Sequence, residues 1–130
     1  MARRRANNPD GERAYHRERH HKNHEANKAK MREYYARRFF WGRAMKLRGE
    51  GRATATQLAA MWKRQRGLCA LTGRRLDRSA QLDHVTPKAR GGDDSAANLR
   101  WTVAPANLAK RDMSDAEFLA LCADVVRNAQ

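Results

Sequence analysis

Two short apolar segments, residues 80–86 and 99–103, stand either side of a loop built on Gly91-Gly92, and a helical turn opens at Pro105 soon after the second. This order constrains the fold more than any other feature of the chain. Segments of this length bounded by turn residues read as strands. In the second, Leu99, Trp101 and Val103 alternate with Arg100 and Thr102, the period of a half-buried strand. Pro105 suits the first turn of a helix, and the pattern carries that helix to about Arg111. The expected fold class is α+β.

Helical patterns flank this centre. Residues 1–11 are rich in Arg and end in Asn7-Asn8-Pro9-Asp10-Gly11, a turn-forming cluster, and are expected to be disordered. From Glu12 to about Leu47 there is no Pro and a single Gly, at Gly42, which predicts a basic helical arm over 12–50. Met31, Tyr35 and Phe39 recur every fourth residue and draw an apolar stripe on it. The first half of the arm is polar all round, so its helicity by itself is marginal. Gly49-Glu50-Gly51 breaks the pattern, and one domain is expected over 51–130. Within it Thr54 stands at capping-box distance from Gln57, and Leu58, Met61 and Trp62 follow at helical spacing. Ser114 and Glu117 repeat the box, with Phe118, Leu121, Cys122 and Val125 expected to form a buried face.

The net charge is +14 and the pI about 11.0. Residues 1–50 hold 15 Lys and Arg against 6 Asp and Glu, and the remainder 13 against 8, so both parts are basic. Such an excess points to a polyanion, most simply nucleic acid, and leaves an anionic membrane surface or mere solubility open. There is no apolar run of 18 residues, so no membrane-spanning segment is expected. Cys69 and Cys122 lie among apolar residues and read as two reduced, buried thiols of a cytoplasmic protein.

The chemistry lies in Leu82-Asp83-His84, the Gly91-Gly92 loop, Asn98-Leu99 and Asn107-Leu108-Ala109-Lys110. Phosphodiester hydrolysis needs an activated water and relief of charge on the leaving oxygen. His84 is the sole histidine beyond residue 24, and an imidazole, with its ordinary pKa of about 6.5, takes a proton near neutrality. Asp83 and Asn107 bring hard oxygens, which suit Mg²⁺ or Mn²⁺ and leave positions for phosphate and water. Lys110 stands one helical turn beyond Asn107, and it and Arg111, Lys88 and Arg90 are candidates for phosphate, as are Arg37 and Arg38 on the arm. One difficulty is geometric: neighbours on a strand face opposite ways, so Asp83 and His84 share a site only where the strand ends.

This ordered set, over about residues 66–122, resembles the HNH endonuclease family and its ββα-metal core, a β-hairpin plus a helix. It resembles in particular small, phage-type members with basic helical leaders. The resemblance implies His84 as general base and Asp83 with Asn107 as holders of one ion. It implies a structural role for Asn98, whose amide ties the loop to the first strand. Gly91 and Gly92 are then turn devices, and Asp93 or Asp94 caps a short helical turn. Many members carry two Cys-x-x-Cys pairs that bind zinc. Here Cys69 stands alone, with Thr72, Val103 and Ala106 at the partner positions. No structural zinc is expected. The core is then expected to rest on Leu68, Leu71, Leu82, Trp101, Leu108 and the final helix.

The resemblance implies a divalent-metal-dependent endonuclease that nicks or cuts DNA, with duplex DNA as partner, working as a monomer or weak dimer. It would act in the cytoplasm, that of the host for a phage gene, alongside phage packaging or mobile-element partners. The alternative is a catalytically inert DNA- or RNA-binding adaptor on the same fold. Two further patterns favour plainer readings. His16, His20 and His24 share one helix face but read as a solvated surface sooner than a metal stripe. The spacing of Tyr35 and Phe39 favours packing on the core over stacking on bases, and Trp62 and Trp101 read as core.

Overall fold

The computed structural model describes residues 8–130. It holds four helices, α1 (Pro9–Ala44), α2 (Ala55–Arg64), α3 (Ala104–Lys110) and α4 (Asp115–Asn128). A two-stranded antiparallel sheet is made of β1 (Gln81–His84) and β2 (Leu99–Thr102). The α+β class follows directly. Most of the tail expected to be disordered lies outside the described residues, but its end does not behave as a turn. Asn8 accepts the Gly11 amide on its side chain at 3.1 Å, which makes it a cap, and Pro9 opens α1. Proline is well suited to that first position because its missing N–H has no helical partner there.

The chain divides into two units, one ending at Arg37 and the other spanning Arg38–Gln130. In the first, every described residue is exposed. Its order rests on helix propensity and on surface pairs such as Glu18–Lys22 at 2.7 Å and Glu33–Arg37 at 2.6 Å. Each has the acid four residues before the base, the favourable orientation, and contributes about 0.3–0.5 kcal/mol. Tyr35 is among the exposed residues, which corrects its expected place on the core.

In the second unit the core gathers on Trp101, which is fully buried. Its indole N–H donates to the Leu58 carbonyl at 2.9 Å, and its amide donates to the Gln65 side chain at 2.9 Å. Phe39 stacks on it at 5.4 Å between centroids, and Trp62 meets it edge-on at 5.4 Å. Leu47, Leu58, Met61, Cys69, Leu76 and Leu99 complete the packing. Both capping boxes form as expected, Thr54 with Gln57 and Ser114 with Glu117.

Some expected core positions are not core. Leu68 and Leu108 are exposed, and so are Leu121, Cys122 and Val125 on α4. Only Phe118 of that face is even half-buried. Helical periodicity marks an apolar face but does not supply a partner for it. The Cys69 sulfur sits in the core and accepts the Thr72 amide at 3.4 Å and the Val103 amide at 3.3 Å. Burial pushes that thiol up, but these bonds outweigh it and leave its pKa lowered. No helix among the described residues is long and apolar enough to cross a membrane.

Candidate functional site

The hairpin register sets Asp83 opposite Arg100 and His84 opposite Leu99. β1 ends at His84, and this resolves the geometric difficulty. Asp83 and His84 both line one open cleft of about 350 Å³, together with Lys88, Asn107, Arg111 and Asp112. The cleft thus brings together the expected base and both expected oxygen donors.

The loop between the strands is built to hold that end. Asn98 accepts the Thr86 amide at 2.8 Å and donates to the Thr86 and Asp93 carbonyls at 3.0 and 2.8 Å. Gly91 takes a φ of 94° at the end of a short 3₁₀ turn, a conformation that favours glycine. A Cβ on Gly92 would lie 1.7 Å from the Thr86 carbonyl oxygen, so that position admits no side chain. Asp93 does the expected turn work, accepting the Ser95 amide at 3.1 Å.

Asp94 does something else, and sequence reasoning missed it. Its carboxylate is buried and meets His84 Nε2 at 2.7 Å, the Arg48 amide at 2.8 Å and Lys88 Nζ at 3.2 Å. Burial would raise this carboxyl, but the bonds from His84, Arg48 and Lys88 outweigh it and hold its pKa at about 2. It is therefore ionised and can only accept, so Nε2 of His84 carries the hydrogen. In the neutral ring Nδ1 is then the basic nitrogen. Among the described residues nothing bonds Nδ1, and the imidazole is a quarter exposed.

Lys110 corrects its expected role. The spacing from Asn107 lets it reach a phosphate, yet its side chain is fully buried. Its ammonium donates to both Asp83 oxygens at 3.0 and 3.1 Å and to the His84 carbonyl at 2.9 Å. The reason is that α3 is short and packs on β1, so its last residue turns in and not out. Arg100 adds a bond to Asp83 at 2.8 Å and reaches Asp115 at 2.9 Å. Arg100 is desolvated, which lowers its pKa, but Asp115 and Asp83 raise it by more. The Arg100 guanidinium in turn holds Asp115 low. The Asp83–Arg100 pair was readable in principle, since strands in this register face one another.

The other phosphate candidates divide. Lys88 and Arg111 line the cleft. Arg111 also has a φ of 48°, a left-handed backbone that costs a non-glycine residue about 1 kcal/mol or more. Arg90 is held by Glu117 of α4 at 2.9 Å. Arg37 pairs with Glu33, and Arg38 is exposed. Asn107 donates its amide hydrogen to Gln81 at 2.9 Å, which leaves its Oδ1 without a partner among the described residues.

Residues 69–114 match the family model described as HNH endonuclease. Over these residues the chain is similar to HNH endonucleases. The match spans the hairpin, its loop and α3, and so takes in Asp83, His84, Asp94, Asn98, Asn107 and Lys110, while α1, α2 and α4 lie outside it. No curated protein matches the chain. HNH nucleases use a divalent metal, and the donors here suit one in kind: a carboxylate and an amide oxygen, with water and a phosphate to complete the shell. A carboxylate has about four acceptor positions, and Lys110 and Arg100 take three of those on Asp83. No group of three or more His, Cys, Asp or Glu among the described residues could hold a metal by itself. An ion at this cleft would therefore depend on Asp83, Asn107 and groups from outside the chain.

Proposed function

We propose that the chain is a divalent-metal-dependent HNH endonuclease that hydrolyses DNA phosphodiester bonds, with duplex DNA as its substrate. The observation that carries this reading is the Asp94–His84 pair at 2.7 Å. It fixes the ring in the tautomer whose Nδ1 can take a proton, at the cleft that also presents Asp83 and Asn107. Nδ1 removes a proton from water, the resulting hydroxide attacks phosphorus, and the bond to the 3′ oxygen breaks as that oxygen takes a proton from solvent water. The products carry 5′-phosphate and 3′-hydroxyl ends. A Mg²⁺ or Mn²⁺ ion held by Asp83 and Asn107 would draw charge from the phosphate and the departing oxygen.

The protein's own residues supply the rest. Asp94 orients His84 and stabilises it once protonated, as a carboxylate does for a catalytic imidazole. Lys88 and Arg111 meet the phosphates on either side of the scissile bond. Arg37 and Arg38, with the other cations of α1, meet the backbone further along. One site of this kind nicks, and cutting both strands takes two encounters or a weak dimer. We place this activity in the cytoplasm, with phage packaging or a mobile element as its setting.

A second reading has one observation in its favour. Asp83 is already neutralised by Lys110 and Arg100 at 3.0 and 2.8 Å, as befits an inert nucleic-acid adaptor that keeps the fold. Supercoiled plasmid separates the two readings. Conversion to open circles with Mg²⁺ or Mn²⁺, absent with EDTA, is expected of the enzyme. His84→Ala should abolish that conversion while DNA binding survives. Mobility shifts with no metal-dependent conversion by the unaltered protein would establish the adaptor.

A further inference from the structure

A second cleft, of about 420 Å³, lies at the end of α2 and is lined by Trp62, Lys63, Arg66, Gly67, Arg75 and Leu76. It falls largely outside the HNH match, on residues to which the catalytic reading gives no role. Three cations line it and no carboxylate does. None of the three side chains has an ion pair or hydrogen bond among the described residues, whereas Lys88, Arg90, Arg100 and Lys110 are each held by a carboxylate.

The backbone here holds an unusual residue in place. The Gly67 amide donates to the Trp62 carbonyl at 3.1 Å and the Arg66 amide to Lys63 at 3.0 Å, which together close the helix in a Schellman motif. That motif needs a left-handed residue, usually glycine, and Arg66 fills it with a φ of 55°. Arg66 and Arg111 are the two non-glycine residues with positive φ among those described, and each lines a cleft. Arg75 is fixed beside Arg66 by the Leu68–Arg75 bridge and by the Leu76 amide on the Gly67 carbonyl at 2.8 Å. Trp62 is wedged against Phe39, Phe40 and Trp101. Cations without counter-ions, on a rigid frame that tolerates backbone strain to present one of them, suit a run of phosphates.

We propose that this cleft is a second phosphate-backbone site, which holds the nucleic acid away from the scissile bond. The proposal rests on the nucleic-acid partner argued above, but not on cutting. The test is binding of a fluorescently labelled DNA duplex by the full chain in EDTA, over a salt series. Arg66→Gly should lower affinity and flatten the log–log salt slope by about 0.9, the share of one phosphate contact. It should not lower the thermal midpoint, because glycine accepts the left-handed backbone freely. Arg74→Gln removes an equal charge beside the cleft but outside its lining, and should change the slope less.

An unchanged slope in Arg66→Gly, or an equal effect in Arg74→Gln, would overturn the proposal. So would an Arg66 effect on binding of polyglutamate with none on DNA, since that assigns the cleft to an acidic protein. Cutting is read separately on plasmid. A protein that cuts with a slope indifferent to Arg66 loses the second site alone. One that never cuts but shows the Arg66 effect loses the nuclease reading alone.

Discussion

Lys110 and Arg37 are both basic residues on helices, and nothing local in the sequence sets them apart, yet one is fully buried and the other stands in water. Around the cleft between the hairpin and α3, Asp94 binds His84 while Arg100 and Lys110 bind Asp83, and no buried side-chain polar atom among the described residues lacks a partner. Along residues 9–37 the charges form pairs between exposed groups one turn apart. The difference teaches that charge alone says little about work done. Buried, an ammonium becomes a strut whose removal strands a carboxylate; exposed, it is screened and interchangeable.

The largest expected effect tests the strut. Lys110→Met should destabilise the fold by about 3–5 kcal/mol, because Asp83 is left buried with Arg100 as its one cation. Urea unfolding measures this, and a loss under about 1 kcal/mol would erase the contrast with the arm. Asp94→Asn comes next. It keeps the shape but removes the charge that fixes the His84 tautomer, so cutting at neutral pH should fall by about 10- to 100-fold with binding retained.

Asp94 also predicts an acid limb. Its carboxyl lies at about 2 in the folded protein against an ordinary 3.8. A depressed folded value means that its contribution, about 2 kcal/mol, is complete above pH 4 and disappears as pH falls from about 4 to 2. The Asn variant should lose that part of the pH dependence, and stability curves that stay parallel at low pH would refute the linkage. The smallest effect belongs to the arm: Arg37→Ala should change stability by no more than about 0.5 kcal/mol in the same urea experiment.

What the sequence made legible follows from how locally each feature is determined. The capping boxes at Thr54 and Ser114 need three residues of context, and the alternation of Leu99 and Trp101 needs a single strand, so both could be read. The meeting of Asp83, His84 and Asn107 in one cleft needed only the order strand, loop, strand, helix. Asp94 could not be read this way. Its partners are Arg48, 46 residues back, and His84, 10 residues back, while its neighbours Gly92 and Asp93 speak only of a turn. Lys110 was hidden because the inward turn of α3 depends on its packing on β1. α4 failed in the opposite sense, with an apolar pattern that finds little to cover it within the described chain.

The bond from the Arg48 amide to Asp94 carries a consequence for engineering. The connection between α1 and α2 and the imidazole at the hairpin's end are moored to the same carboxylate. Inserting or deleting residues there would swing the ring without altering any group that lines the cleft, so the length of that tether itself sets where the imidazole points.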